Sequence, residues 1–359
     1  MKELTVLITG VGGGGVGEQV LKCLKMSKLQ TRIIGCDMNR TSKGLGVVDK
    51  AYIVPASSSD QYLDCIRRIC KTNGVDIIFP GSEPELKVLS ENRDLFEENG
   101  ICLPFNSRKL ISICMDKNKT MEFLRSNSIP VQKTWEIHDE SGLDQIDIFP
   151  VVLKPSIGGG GSVNTFIAQD KRELKMFGTY LLDLYSVFTV QEYVGNAESE
   201  YTVGVMCGKD GRYINSIAVK KSILSGLSNR IKVPNKTGRS ELGKVLAISS
   251  GISQGMIGRF PEVTVIAKRI AEKLGATAPI NIQGRIHNGE FYVFEINPRI
   301  SGTSPLRAIV GYNEPEMVIR DRVFGEEIES DFEYKEGVIV RGLDETFISN
   351  EFMNAIESV

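Results

Sequence analysis

Glu295, Asn297 and Arg299 stand at alternate positions where the apolar run Phe291-Tyr292-Val293-Phe294 comes to an end. A strand turns every second side chain to the same face, so all three point the same way. A carboxylate and an amide oxygen are hard ligands, and the guanidinium beyond them is a fixed cation. Together they suit a Mg²⁺–triphosphate, where metal and arginine share the charge of a transferring phosphoryl group. The plainer alternative is a strand end entering a turn at Pro298, and only the rest of the chain separates the two.

A second phosphate-binding candidate is Lys154. It closes the apolar run Val151-Val152-Leu153 just before Ser156-Ile157-Gly158-Gly159-Gly160-Gly161-Ser162. In a Walker loop the lysine lies inside the glycines; here it precedes them and another strand follows. That order suits a flap whose backbone N–H groups fold over phosphates while the lysine supplies a point charge. A flexible hairpin is the alternative. Another glycine run, Gly10 to Gly17, follows the first strand, opens a helix and fits G-x-G-x-x-G twice, with Asp37 ending the next strand. Formally that is a dinucleotide fingerprint. No Y-x-x-x-K pair accompanies it, and close strand–helix packing calls for the same glycines. A near-Walker string at Gly238 to Val245 is set aside, since Val245 has no hydroxyl for Mg²⁺.

The elements that must carry these residues fall into two styles. From residue 1 to about 115, strand and helix signals alternate, as in a parallel sheet wrapped by helices. From Val187 onward strand signals dominate, with one clear helix over Val263–Leu274. The polar, glycine-spotted segment from Ser222 to Gly258 reads as a long loop. A two-residue Asn288-Gly289 hairpin would set Gln283 opposite Phe294 and turn Gln283 and Glu295 to opposite faces. If both hold metal, the turn must be longer or the pairing must carry a bulge, with Gly289 at positive φ.

Composition narrows the classes. The 359 residues suffice for two or three domains. A net charge of −2 gives no polyanion-binding surface, so no nucleic-acid partner is expected. No apolar run approaches the roughly 20 residues of a membrane span, and a cytoplasmic, non-membrane protein is expected. Seven scattered cysteines without a C-x-x-C pair, and only His138 and His287, support neither a zinc site, a disulfide framework nor histidine-assisted nucleophilic catalysis.

In this order and spacing the motifs resemble the ATP-grasp superfamily, nearest to single-module relatives of the carbamoyl-phosphate synthase large subunit and to amino-acid ligases. The resemblance implies a mixed α/β and α+β fold. A Rossmann-like domain would cover residues 1–115, a small lid lobe with the glycine flap 116–190, and a large lobe with the metal site 191–328. Residues 329–359 remain unassigned. It further implies that Lys117, Lys154, Gly159, Gly160, Gly161 and Ser162 meet ATP phosphates. Gln191, Glu192, Tyr193 and Val194 would line adenine, and Glu200 would hold the ribose hydroxyls. Gln283, Glu295 and Asn297 would ligate two Mg²⁺ ions, Mn²⁺ being an alternative, and Arg299 would steady the transferred phosphoryl. Many relatives carry an acid where this chain has Gln283. The glutamate of biotin carboxylases is missing from Ile300-Ser301-Gly302-Thr303-Ser304.

The expected activity is an ATP-dependent carboxylate–amine ligase working through an acyl phosphate, which needs positioning and charge neutralisation but no side-chain nucleophile. Small-molecule acid and amine substrates are its partners, and homodimerisation is left open. For the substrate, Glu83 could hold an α-amino group, while Ser301 and Arg307 could meet a carboxylate. Glu83 also fits a plain helix N-terminal acid. The competing classes are an NAD-dependent or sugar-nucleotide enzyme using the first glycine run, a carboxyphosphate-forming enzyme, and a silent nucleotide sensor.

Overall fold

The computed structural model describes residues 3–157, 162–342 and 350–358. The first unit runs β1 (Leu4–Ile8), α1 (Val16–Met26), β2 (Thr31–Asp37), β3 (Lys50–Ile53), α2 (Tyr62–Asn73), β4 (Ile77–Phe79), α3 (Glu83–Glu91), α4 (Asp94–Glu97) and α5 (Arg108–Met115). The strands pair in parallel in the order β3-β2-β1-β4. Their near-continuous apolar content fits a sheet covered on both faces. Helix ends follow local chemistry. Gly74 takes φ 62° to close α2, and the Ser82 side chain accepts from Glu85 N to open α3. Beyond β4 the sheet is extended, among the described residues, only by a single parallel bridge between Ile77 and Cys102.

The second unit contains α6 (Lys117–Ser126), β5 (Thr134–Ile137), α7 (Glu140–Asp144), β6 (Val151–Pro155), β7 (Phe166–Ala168), α8 (Lys171–Leu184) and β8 (Phe188–Glu192). Its four-stranded antiparallel sheet has the order β5-β8-β6-β7. Val151, Leu153, Phe188 and Val190 pack with Leu174 and Leu181 of α8 on one face. Strand alternation turns Lys154, Thr189 and Gln191 to the other face. The expected boundary at residue 190 therefore falls inside β8. Helix α6 also departs from the expected lid, because Met121 and Leu124 pack with Val203, Ile282 and Val293 of the large sheet.

The third unit holds β9 (Glu200–Cys207), β10 (Tyr213–Lys221), β11 (Asn229–Pro234), β12 (Val245–Ser249), β13 (Gly255–Gly258), α9 (Pro261–Leu274), β14 (Ile280–His287), β15 (Glu290–Asn297), α10 (Ser304–Ile309) and α11 (Glu314–Ile319). The segment from Ser222 to Gly258, expected as a loop, forms the β11–β12 hairpin and strand β13. Alternating burial along β11 hides Ile231 and Val233 against Tyr193, Leu242 and Leu246. That period-2 pattern was present in Asn229 to Val233 but was masked by polar neighbours.

The C-terminal residues, unassigned from sequence, supply β16 (Gly337–Ile339), α12 (Asn350–Ala355) and β17 (Glu357–Ser358). Strand β16 borders the large sheet, giving the order β15-β14-β9-β10-β13-β16, and β17 adds to β3 of the first sheet. Among the described residues no helix is long and apolar enough to cross a membrane.

Candidate active site

Strands β14 and β15 meet in a two-residue turn, with Asn288 at φ 51° and Gly289 at φ 81°. The register slips between Gln283 and Gly284: Gly284 opposes Val293 while Gln283 opposes Glu295. Phe294 is the extra residue of a β-bulge, one of the two ways of bringing both side chains to one face. Gln283 Nε2 donates to Glu295 Oε2 at 2.7 Å. The bulge also frees the Phe294 carbonyl, which accepts from Lys154 Nζ at 3.3 Å across the cleft. One irregularity in pairing thus aligns the amide with the carboxylate and receives the lysine of the facing lobe.

Asn297 is buried and Arg299 half-buried. Arg299 Nη2 donates to Asn297 Oδ1 at 3.1 Å and to Glu83 Oε1 at 2.9 Å, joining the strand to the first domain. Its Nε has no hydrogen-bond partner among the described residues. Glu83 lies at the N-terminus of α3, where the helix dipole favours an acid, and it is also the counter-ion of Arg299.

On the facing lobe, Lys154 is nearly enclosed, 9% exposed. Burial, then the charge of Lys117, push its ammonium down to about 7, against the pull of Glu295. Lys117 is placed by the turn that opens α6, where Asp116 accepts from Asn118 and Lys119 N–H groups and Lys117 N donates to Ser156 O. Asn118, Thr189 and Ser156 form a hydrogen-bonded chain beneath the lysines. Gln191 is buried with an Nε2 that finds no partner among the described residues. An orphaned buried donor is costly without a ligand acceptor. Glu192 pairs with Arg239 at 3.6 Å, Tyr193 lies under the Arg285 guanidinium, and Val194 is buried. Gly159, Gly160 and Gly161 lie outside the described residues. Ser162, at the end of the flap, donates to Ser249 O at 3.2 Å.

Three expectations are corrected. Glu200 does not offer free oxygens for ribose: Oε1 accepts from Lys221 at 3.0 Å, and Oε2 accepts from Arg285 Nε and Nη2 at 3.0 and 2.9 Å. Burial alone would raise its pKa, yet Lys221 and Arg285 outweigh that and hold it near 2. Arg307 is not a substrate ligand. It is 0% exposed, paired with Glu314 at 2.9 Å and with Asn281 at 2.7 Å. Gly204 makes room for it, because a Cβ there would meet the guanidinium at 2.2 Å. Ser301 is buried and bonds Thr303 within its own loop, so it shapes that loop instead of facing a ligand.

Sequence reasoning missed Lys221 and Arg285. Lys221 is buried while its neighbour Lys220 is exposed. Alternation was the available signal: Arg285 lies two positions beyond Gln283, on the same face of β14.

The first glycine run serves its own backbone. Asp37 accepts from Gly12 N and Asn39 N at 2.9 Å each, and Glu18 accepts from Gly14 N at 3.0 Å. The acid that would hold a ribose and the N–H that would hold a pyrophosphate are already engaged. This counts against the dinucleotide alternative.

The metal question turns on donor chemistry. Among the described residues, no three His, Cys, Asp or Glu side chains converge. One carboxylate plus amide oxygens, beside room for phosphate and water, is the incomplete oxygen set in which Mg²⁺ is ordinarily held. Glu295 and Asn297 fit that role; Gln283 has its oxygen turned to Lys221 at 2.7 Å.

Residues 6–103 match a family model described as PylC-like, N-terminal domain, and residues 243–346 one described as ATP-grasp in the biosynthetic pathway with Ter operon. The carbamoyl phosphate synthase large chain of Campylobacter jejuni is 24% identical over 320 residues, covering 85% of this chain and 27% of its own length. The chain thus spans little more than a quarter of that relative. Among solved structures, the L-amino acid ligase from Bacillus licheniformis superposes with a TM-score of 0.62 at 16% identity, over 90% of this chain and 75% of that one. The biotin carboxylase domain of the Hydrogenobacter thermophilus 2-oxoglutarate carboxylase, in complex with MgADP and bicarbonate, gives a TM-score of 0.61 at 19% identity, over 92% and 72%. The fold is that of an ATP-grasp protein behind a PylC-like N-terminal domain.

Proposed function

We propose that this ATP-grasp chain is an ATP-dependent carboxylate–amine ligase, forming an amide through an acyl phosphate with an amino acid on one side of the bond. The observation that carries this reading is the meeting of Lys154 from one lobe with the Phe294 bulge carbonyl of the other, next to Glu295, Asn297 and Arg299. A carboxylate oxygen is a poor leaving group until it is phosphorylated. Charge neutralisation and alignment are then the protein's task.

In this scheme the substrate carboxylate attacks the γ-phosphorus and ADP departs; the amine then attacks the acyl carbon and phosphate departs. Lys154 and Lys117 offset phosphate charge, and Lys154 gains a proton as it does so. Arg299 turns its unpartnered Nε edge to the transferred group. Glu295 and Asn297 would hold Mg²⁺, which supplies Lewis-acid charge neutralisation at the terminal phosphates. Gln191 offers its free donor to the nucleotide.

The test is an ADP-release screen over pairs of amino acids, hydroxy acids and amines, with products identified by mass. Bicarbonate with ammonia is included, because the carbamoyl phosphate synthase likeness keeps a carboxyphosphate reaction in view. Acid- and amine-dependent ADP with an amide product supports the reading. Nucleotide binding without ADP release from any pair points to a sensor instead, and stabilisation by NAD(P) alone would overturn it.

A further inference from the structure

Lys221 lies at the end of β10 with a side chain 2% exposed. Its ammonium donates to Glu200 Oε1 at 3.0 Å, Ser249 Oγ at 3.1 Å and Gln283 Oε1 at 2.7 Å. An ammonium has three donors, and all are used. Glu200 already has a cation in Arg285, which holds its other oxygen twice. One buried acid therefore faces two buried cations, and the surplus positive charge is directed at an amide. Burying a charge beyond what neutralises its partner is costly, so this arrangement calls for a purpose.

We infer that Lys221 is a positioning residue for the cation site: it fixes the Gln283 amide, and through it the Glu295 carboxylate. This rests on the ligase reading and deepens it. Lysine only donates and an ionised carboxylate only accepts, so the side chain between Lys221 and Glu295 must do both. Glutamine does, with Oε1 toward Lys221 and Nε2 toward Glu295 at 2.7 Å. An ionised acid at 283 could not donate to Glu295. The β15 bulge sets Gln283 opposite Glu295, and Lys221 sets which end of the amide faces it. One Glu295 oxygen is tied back and the other is left for the cation. Ser249 extends the chain of contacts to Ser162, whose hydroxyl donates to its carbonyl at 3.2 Å.

The experiment is a double-mutant cycle on the full chain, reading Mn²⁺ affinity by electron paramagnetic resonance with a non-hydrolysable ATP analogue present. Lys221→Met and Gln283→Leu are each expected to weaken Mn²⁺ about tenfold, the usual loss for a group that orients a metal ligand. The double variant should be no more than about twofold worse than the weaker single, because both changes break one route. Multiplying losses in the double variant, or wild-type affinity in Lys221→Met, would overturn the assignment. Should Lys221→Met fail to unfold cooperatively, Lys221→Gln, which keeps a donor for Glu200, enters the same cycle. If the wild-type protein binds no Mn²⁺–nucleotide, the ligase reading fails first. If it binds and the cycle is additive, only the role of Lys221 falls.

Discussion

Arg299 and Arg307 each contact a glutamate at 2.9 Å, and the resemblance of the two pairs ends there. Arg307 and Glu314 are 0% and 1% exposed, closed off by Asn281 and packed on Gly204. Arg299 and Glu83 are 16% and 21% exposed, and they join two domains at the rim of a cleft that also holds Lys154 and Glu295. Equal distance says nothing about role; solvent access and the surrounding groups do. The closed pair ties α10 to α11 inside the large lobe, and the open one keeps the solvent access that the proposed phosphate contact requires.

The largest effect expected is on stability at the closed pair. Arg307→Met strands Glu314 in the core and should cost about 3–5 kcal/mol, read by chemical denaturation. An Arg307→Met protein that unfolds like wild type but fails to turn over would return Arg307 to the substrate site. At the open pair the order reverses. Arg299→Met should lower kcat about 10²–10³-fold with a near-wild-type melting temperature, the scale of a lost donor to a developing charge.

Next comes a proton. The folded pKa of Lys154, about 7, lies below its ordinary 10.5. Between those values the unfolded chain binds more protons, so stability of the free protein declines as pH falls through that window. Phosphates in the cleft favour the charged ammonium, so nucleotide binding at pH 8 should take up close to one proton, much less at pH 6. Calorimetry in buffers of different ionisation enthalpy measures this, and Lys154→Met should abolish it. The smallest effect concerns Glu83→Gln, which should change stability by no more than about 1 kcal/mol, as for other solvent-accessible pairs. If Glu83 also binds an ammonium, KM for the amine-bearing substrate rises in that variant while KM for ATP does not.

Period-2 spacing at Glu295, Asn297 and Arg299 could be read locally, because strand alternation is local, and Arg299 does contact Asn297. The bulge at Phe294 could be deduced only as a condition, since register depends on both strands and on the turn between them. Lys221 and Arg307 show where local reading stops. A charged residue is buried only if a distant partner neutralises it, and neither Glu200 nor Glu314 could be paired with them from spacing. The hairpin over Asn229–Ser249 was hidden for a related reason: its apolar face is half-width and is completed by Tyr193 and by Ile167 of the neighbouring lobe.

The measurement that bears most directly on the central claim is oxygen transfer from acid to phosphate. Once the screen identifies a substrate pair, the acid is supplied with ¹⁸O in its carboxylate and the released phosphate is weighed. The account predicts one ¹⁸O in each phosphate formed, with ADP as the other product. Unlabelled phosphate, or AMP with pyrophosphate, would contradict it.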